Sequence, residues 1–247
     1  MSAYLGSILG LLLLLMVHFR AVRLLALDRS RGGLLCVISG IAVAYVFIDV
    51  LPHLARKQFG LEVLLPGILA KYLTHHLVYL MALLGFGVYV GIRAFSAAES
   101  GPRGARYGYA AIVVSMCFYA AFIGYMLAEQ PIYRPEPALL FAIAMSAHFL
   151  GLHHELQDGH LVFYNRVVRY LLMGSTALGW LGSLVYTISA PVFALSFAYI
   201  AGGIVAVAAM NDLPRVRSAR GFTAFALGAL VYSVLLLVIE GYKINAL

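Results

Sequence analysis

Charge is scarce in this chain: Asp, Glu, Lys and Arg make up 11% of its 247 residues, against about a quarter in an ordinary soluble domain. That scarcity excludes a water-facing globular enzyme. Cysteine is nearly missing as well. Cys36 and Cys117 both fall inside apolar runs, so no disulfide framework and no redox compartment follow from them. What the chain has instead is hydrophobic residue, 63% of the total. It is arranged in runs long enough to cross a bilayer, which takes about 20 residues per helix.

Eight such windows are expected as spans of an all-α polytopic membrane protein: Ala3–Val22, Leu34–Leu54, Thr74–Ala94, Tyr107–Leu127, Pro137–Gly151, Tyr170–Ile188, Pro191–Met210 and Phe222–Glu240. The chain therefore reads as one transmembrane domain over residues 1–247. The connections Ala55–Leu73 and Leu152–Arg169 read as loops or interfacial helices. Met1–Val17 lacks a basic leader and is followed by Arg20 and Arg23, so it is expected to be a span rather than a signal peptide. With both termini outside, twelve arginines, in the stretches Arg20–Arg31, Arg93–Arg106, Arg166–Arg169 and Arg215–Arg220, face the cytoplasm. Arg56, Lys57, Lys71, Arg134 and Lys243 face out. Twelve against five in short loops is the positive-inside pattern and points to the cytoplasmic membrane. The +7 formal charge thus reports orientation, and nothing in it suggests nucleic acid.

Two segments echo each other. Gly40-Ile-Ala-Val-Ala-Tyr-Val-Phe-Ile-Asp49-Val-Leu-Pro52-His53 closes the second span. Gly203-Ile-Val-Ala-Val-Ala-Ala-Met-Asn-Asp212-Leu-Pro214-Arg215 closes the seventh. Each sets an aspartate nine residues after a glycine and then a Leu-Pro step, at which a helix is expected to kink or stop. In the topology above the two copies run in opposite directions, as in inverted repeats. The same pattern also serves simply to end a membrane helix.

Ionisable groups at membrane depth carry the chemical signal, because each costs about 2.5–3.5 kcal/mol at the bilayer centre and usually faces a bundle interior or water. They are His18, Asp49, His53, His75, His76, Glu129, His148, Glu155, Asp212 and Glu240. Asp49 and His53 are four apart, on one helical face. They suit a divalent first-row metal, or a plain Asp–His pair at a helix end. The densest cluster is His148-Phe-Leu-Gly-Leu-His153-His154-Glu155-Leu-Gln-Asp158-Gly-His160. Such N/O donors suit zinc, iron or manganese, and a solvated histidine-rich loop fits them equally. A helix continued through Gly151 would put His148 and Glu155 on one face and turn His153 and His154 elsewhere. No HExxH motif is present, since the second histidine is missing after His154-Glu155, and no nucleophile completes an enzyme site. Gly87-x-x-x-Gly91, Gly179-x-x-Gly182 and Gly202-Gly203 read as small-residue packing faces. Tyr107, Tyr119, Tyr125, Tyr164, Tyr170 and Trp180 read as interfacial anchors.

The eight spans, the Phe197–Pro214 segment with its Ala-Gly opening and Asp212-Leu-Pro214 close, and Asp49-Val-Leu-Pro52-His53 resemble the ZIP (Zrt/Irt-like) metal transporters over roughly Ser7–Leu54 and Ala194–Ile239. The resemblance implies a ZIP-like bundle that moves a divalent cation, with that ion as substrate, no organic cofactor, membrane lipid as surroundings, and a homodimer as an assembly open to it. The middle departs from the family. Span four, Ser115–Gly124, lacks the histidine and aspartate of the family's transport site, and in span five only His148 matches. Candidate metal residues are therefore His148, His153, His154, Glu155, Asp49, His53 and Asp212, with Met116 or Cys117 as further partners for His148. A ZIP-fold protein without transport, acting as sensor, scaffold or complex subunit, is the competing expectation.

Overall fold

The computed structural model describes residues 4–28, 33–64, 68–98, 102–129, 136–157, 161–213 and 216–244. Among them the chain is almost entirely helical, with no strand. The order is α1 (Leu5–Asp28), α2 (Leu34–Tyr45), α3 (Leu51–Leu64), α4 (Ile68–Ala98), α5 (Pro102–Ala128), α6 (Glu136–Gln157), α7 (Leu161–Phe163), α8 (Arg169–Val185), α9 (Ala190–Val207) and α10 (Ala219–Ile244). Among the described residues, seven helices are long and apolar enough to cross a membrane, and they coincide with seven of the eight windows. The sixth window falls on α8, 17 residues long.

Three π-turns interrupt these helices, and two of them explain the sequence echo. Val46–Val50 and Ala208–Asp212 are π-helical, and each is followed directly by Leu-Pro. A proline in a helix has no N–H to give, and its ring collides with the carbonyl four residues back. Widening the preceding turn moves that carbonyl aside: the Leu51 N–H reaches back five residues to the Val46 carbonyl. Of the expectation that the second span kinks or stops at Pro52, the stop is corrected, because the helix continues to Leu64. The seventh-span helix does end here, at Asp212 and Leu213. Of the two readings for the connections, loops or interfacial helices, much of the chain there is helical. α3 and α4 occupy most of 55–73, while α6 extends through Gly151 to Gln157.

The chain forms two compact units, each assembled from separate stretches. The first comprises Met1–Ala44, Val113–Tyr186 and Asn211–Leu247; the second comprises Tyr45–Ile112 and Thr187–Met210. Within the first, α6 packs along α1, and α8 also packs on α1. Within the second, α4 and α9 form the main contact, with α3 against both.

Glycines set the closest crossings, and they come in facing pairs. A Cβ on Gly85 of α4 would strike the Tyr199 backbone of α9, and a Cβ on Gly202 of α9 would strike the Ala82 backbone of α4. The first unit repeats the device with Gly124 against Thr176 and Gly179 against Ala121, and with Gly40 against Phe225 and Gly228 against Val37. Direct backbone approach of this kind is how helices gain packing contacts where no hydrophobic force separates lipid from protein. Of the expected glycine faces, Gly179 and Gly202 do this work. Gly87, Gly91, Gly182 and Gly203 instead face open space, and Gly85 had no motif to announce it.

Burial differs widely among the spans. α6 carries the least apolar of the seven spans, yet 72% of its window is buried, against 17% for those of α4 and α10. Leu83, Phe118, Leu230 and Val231 on other spans are exposed, whereas α6 keeps Ser146, His148 and His153 inside. This is the arrangement a bilayer imposes on ionisable groups.

Candidate functional site

The interior of the first unit contains a continuous hydrogen-bonded chain of side chains. His18 on α1, His153 on α6, Tyr164 just before α8 and Thr176 on α8 are each fully buried. His18 Nδ1 lies 2.7 Å from His153 Nε2, His18 Nε2 lies 3.1 Å from Thr176 Oγ1, and the Tyr164 hydroxyl lies 2.7 Å from His153 Nδ1. Thr176 also contacts the Leu172 carbonyl at 2.9 Å.

The direction of every bond follows from one fact. A backbone carbonyl only accepts, so the single Thr176 proton goes to Leu172. Thr176 must then accept from His18 Nε2–H, which leaves His18 Nδ1 as the acceptor for His153 Nε2–H. His153 Nδ1 in turn accepts the Tyr164 O–H. Both imidazoles are neutral in this arrangement and both carry their proton on Nε2. All donors are satisfied, which a buried polar network in a low-dielectric interior requires.

Local sequence explains why these groups meet. Leu14, Val17, His18 and Ala21 lie on the buried stripe of α1 at helical spacing, and α6 is buried nearly all round over residues 144–153, so His153 has no solvent-facing side. Tyr164, Val168, Leu172 and Thr176 are buried in turn at four-residue steps. Over twelve residues a plain α-helix would rotate the first of these about a third of a turn from the last. The π-turn Tyr164–Val168, closed by the Arg169 N–H to the Tyr164 carbonyl, slows that rotation and keeps Tyr164 over Thr176. Such π-turns are frequent at functional sites.

Aromatic rings wall the chain. Phe149 meets His18 edge-on at 4.6 Å between centroids, and Tyr119 lies 5.6 Å from both Phe149 and His148. His148 itself is buried, together with both of its ring nitrogens. The Tyr119 hydroxyl points to Met145 Sδ at 3.7 Å.

The other sequence candidates distribute as follows. His153 does turn away from the His148 face, but it is buried as completely as His148, and both its nitrogens are engaged. It has no lone pair to offer a metal while the chain stays intact. His154 is exposed. For Glu155 and Asp212 only the backbone is described, and Asp158, His160, Pro214 and Arg215 lie outside the described residues. Asp49 and His53 belong to the second unit and pair with each other. His53 Nδ1–H donates to the Asp49 carbonyl at 2.9 Å and sits 3.3 Å from its carboxylate. With side chains 44% and 30% exposed, the ion pair contributes at most about 1 kcal/mol. One turn on, Lys57 lies over Phe193 at 4.8 Å, while the His53 ring lies 6.4 Å from Phe197. Among the described residues, no three His, Cys, Asp or Glu side chains converge to hold a metal.

Sequence reasoning noted His18 as an intramembrane group but did not place it in a site. It read Tyr119, Tyr125 and Tyr164 as interfacial anchors, and all three are buried. The available signal was the position of His18 inside the Leu14–Ala21 stripe.

Comparison with protein-family models, with curated proteins and with solved structures returns no match.

Proposed function

We propose that this chain is a ZIP-like, eight-span carrier of a divalent cation in the cytoplasmic membrane, with both termini outside and the cation position on α6 at His148. The observation that carries this reading is the concentration of imidazoles inside the bundle: His18, His148 and His153 are all at most 2% exposed. An ionisable side chain inside a span is by default a candidate for a functional site, ion pathways among them. The matching π-turns before Leu51-Pro52 and Leu213-Pro214 support a repeated architecture.

Uptake of zinc, manganese or iron into proteoliposomes containing the purified protein tests the proposal. His148→Ala is expected to lower uptake at least about tenfold, the scale on which altering a metal site acts. Unchanged uptake removes His148 from the role.

A specific observation favours the competing reading, a ZIP-fold protein that senses, scaffolds or joins a complex without transport. The His18–His153–Tyr164–Thr176 chain satisfies itself and ties α1, α6 and α8 together. Protein that holds no zinc, manganese, iron or cobalt after equilibration and dialysis would decide for this second reading.

A further inference from the structure

We infer that the π-turn Tyr164–Val168 is a releasable latch. Closed, it seats the Tyr164 hydroxyl on His153; relaxed to plain α-helix, it withdraws that hydroxyl and opens the buried chain at this end. The inference rests on the buried side-chain network and holds whether or not the protein carries a cation.

The three π-turns differ in what holds them. Val46–Val50 and Ala208–Asp212 are each followed by one leucine and then a proline, whose ring clashes with a tighter preceding turn. Local sequence fixes those two. After Tyr164–Val168 the same two places hold Arg169 and Tyr170, and no proline follows before Pro191. Nothing in the adjoining sequence therefore forbids this turn from tightening. What keeps it wide is a side chain, the fully buried Tyr164 with its 2.7 Å bond to His153.

The two flanks of the turn are unequally anchored. On the C-terminal side α8 packs on α1, and Thr176 lies 3.1 Å from His18. On the N-terminal side the three residues of α7 pack chiefly on the turn itself, and Val162 and Phe163 are exposed. Tightening the turn rotates a lightly held arm against a fixed helix. Tyr164 would then stand about a third of a turn away from Thr176, off the face that meets His153. His153 Nδ1 loses its donor, while the His18–His153 and His18–Thr176 bonds remain.

Fluorine-19 saturation-transfer spectroscopy of the full chain in lipid nanodiscs, with 3-fluorotyrosine at position 164, tests this, because it detects minor states that exchange in milliseconds. Two resonances are expected. The main one is untouched by nitroxide-labelled lipid or by a gadolinium chelate in water, and the minor one is broadened by either. His153→Leu should raise the minor population about fivefold, the effect of one net hydrogen bond on an equilibrium. Tyr170→Pro should erase it, by giving this turn the proline that the other two have. The inference is overturned if neither wild type nor His153→Leu shows an outward state, or if Tyr170→Pro leaves that state undiminished. Should His153→Leu not fold, wild type against Tyr170→Pro decides alone, and a wild type without the outward state then overturns it. Failure of Tyr170→Pro to fold also overturns it, since a wide turn already in place accommodates the proline.

Discussion

Gly202→Ala is expected to destabilise the second unit by about 1–3 kcal/mol, while Gly203→Ala, one residue away, leaves stability unchanged or raises it by up to about 1 kcal/mol. The opposite signs come from what each new methyl group meets. At Gly202 it would strike the Ala82 carbonyl and the Phe86 backbone nitrogen, whereas at Gly203 nothing lies within 4 Å. Backbone cannot swing aside as a side chain can, so α4 and α9 would have to separate and lose contacts along their length. The facing glycine gives an independent check: Gly85→Ala meets the Tyr199 backbone and should destabilise, whereas Gly87→Ala meets open space. Reversible unfolding in mixed micelles measures both pairs. Equal effects at Gly202 and Gly203 would mean the α4–α9 crossing is not as close as described.

His153→Leu is expected to cost more than any other single change in the buried chain, about 2–6 kcal/mol. The substitution removes the imidazole from both the Tyr164 hydroxyl and the His18 Nδ1 at once, and each buried hydrogen bond lost in this way costs about 1–3 kcal/mol. His18→Leu strands one end of His153 and the Thr176 hydroxyl, which retains Leu172 as a partner, so it should cost less. The double replacement should be milder than the two single effects added, because the His18–His153 bond can be lost only once. Strict additivity would show that the two rings do not interact.

How much of this was legible in the sequence depended on distance along the chain. The spans were legible because hydropathy is local, and seven helices coincide with windows read from residues alone. The Asp-Leu-Pro echo was legible for the same reason, although its physical content, a widened turn that accommodates the proline, needed the backbone. His18 and His153 are 135 residues apart, and no local pattern brings them together. Tyr164 looked like an interfacial anchor because tyrosines at span ends usually are. Only the π-turn after it rotates the ring into the interior. Glycine spacing misled in the same way: Gly87-x-x-x-Gly91 has the packing motif but faces open space, while the isolated Gly85 makes the crossing. A motif states which residues share a helix face and not which face meets a neighbour. The His148–His160 cluster, dense in sequence, is divided by helix geometry into a buried His148, a buried and fully engaged His153 and an exposed His154.

The central claim is that two neutral imidazoles share one directed hydrogen bond deep within the bundle, Nε2–H of His153 to Nδ1 of His18. Solid-state nitrogen-15 spectroscopy of histidine-labelled protein in lipid at neutral pH tests it most directly. The account predicts both rings in the Nε2–H form, with a through-bond nitrogen–nitrogen coupling between His153 Nε2 and His18 Nδ1 that disappears in His18→Leu. Two rings with no coupling between them, or either ring protonated on Nδ1 alone, would contradict it.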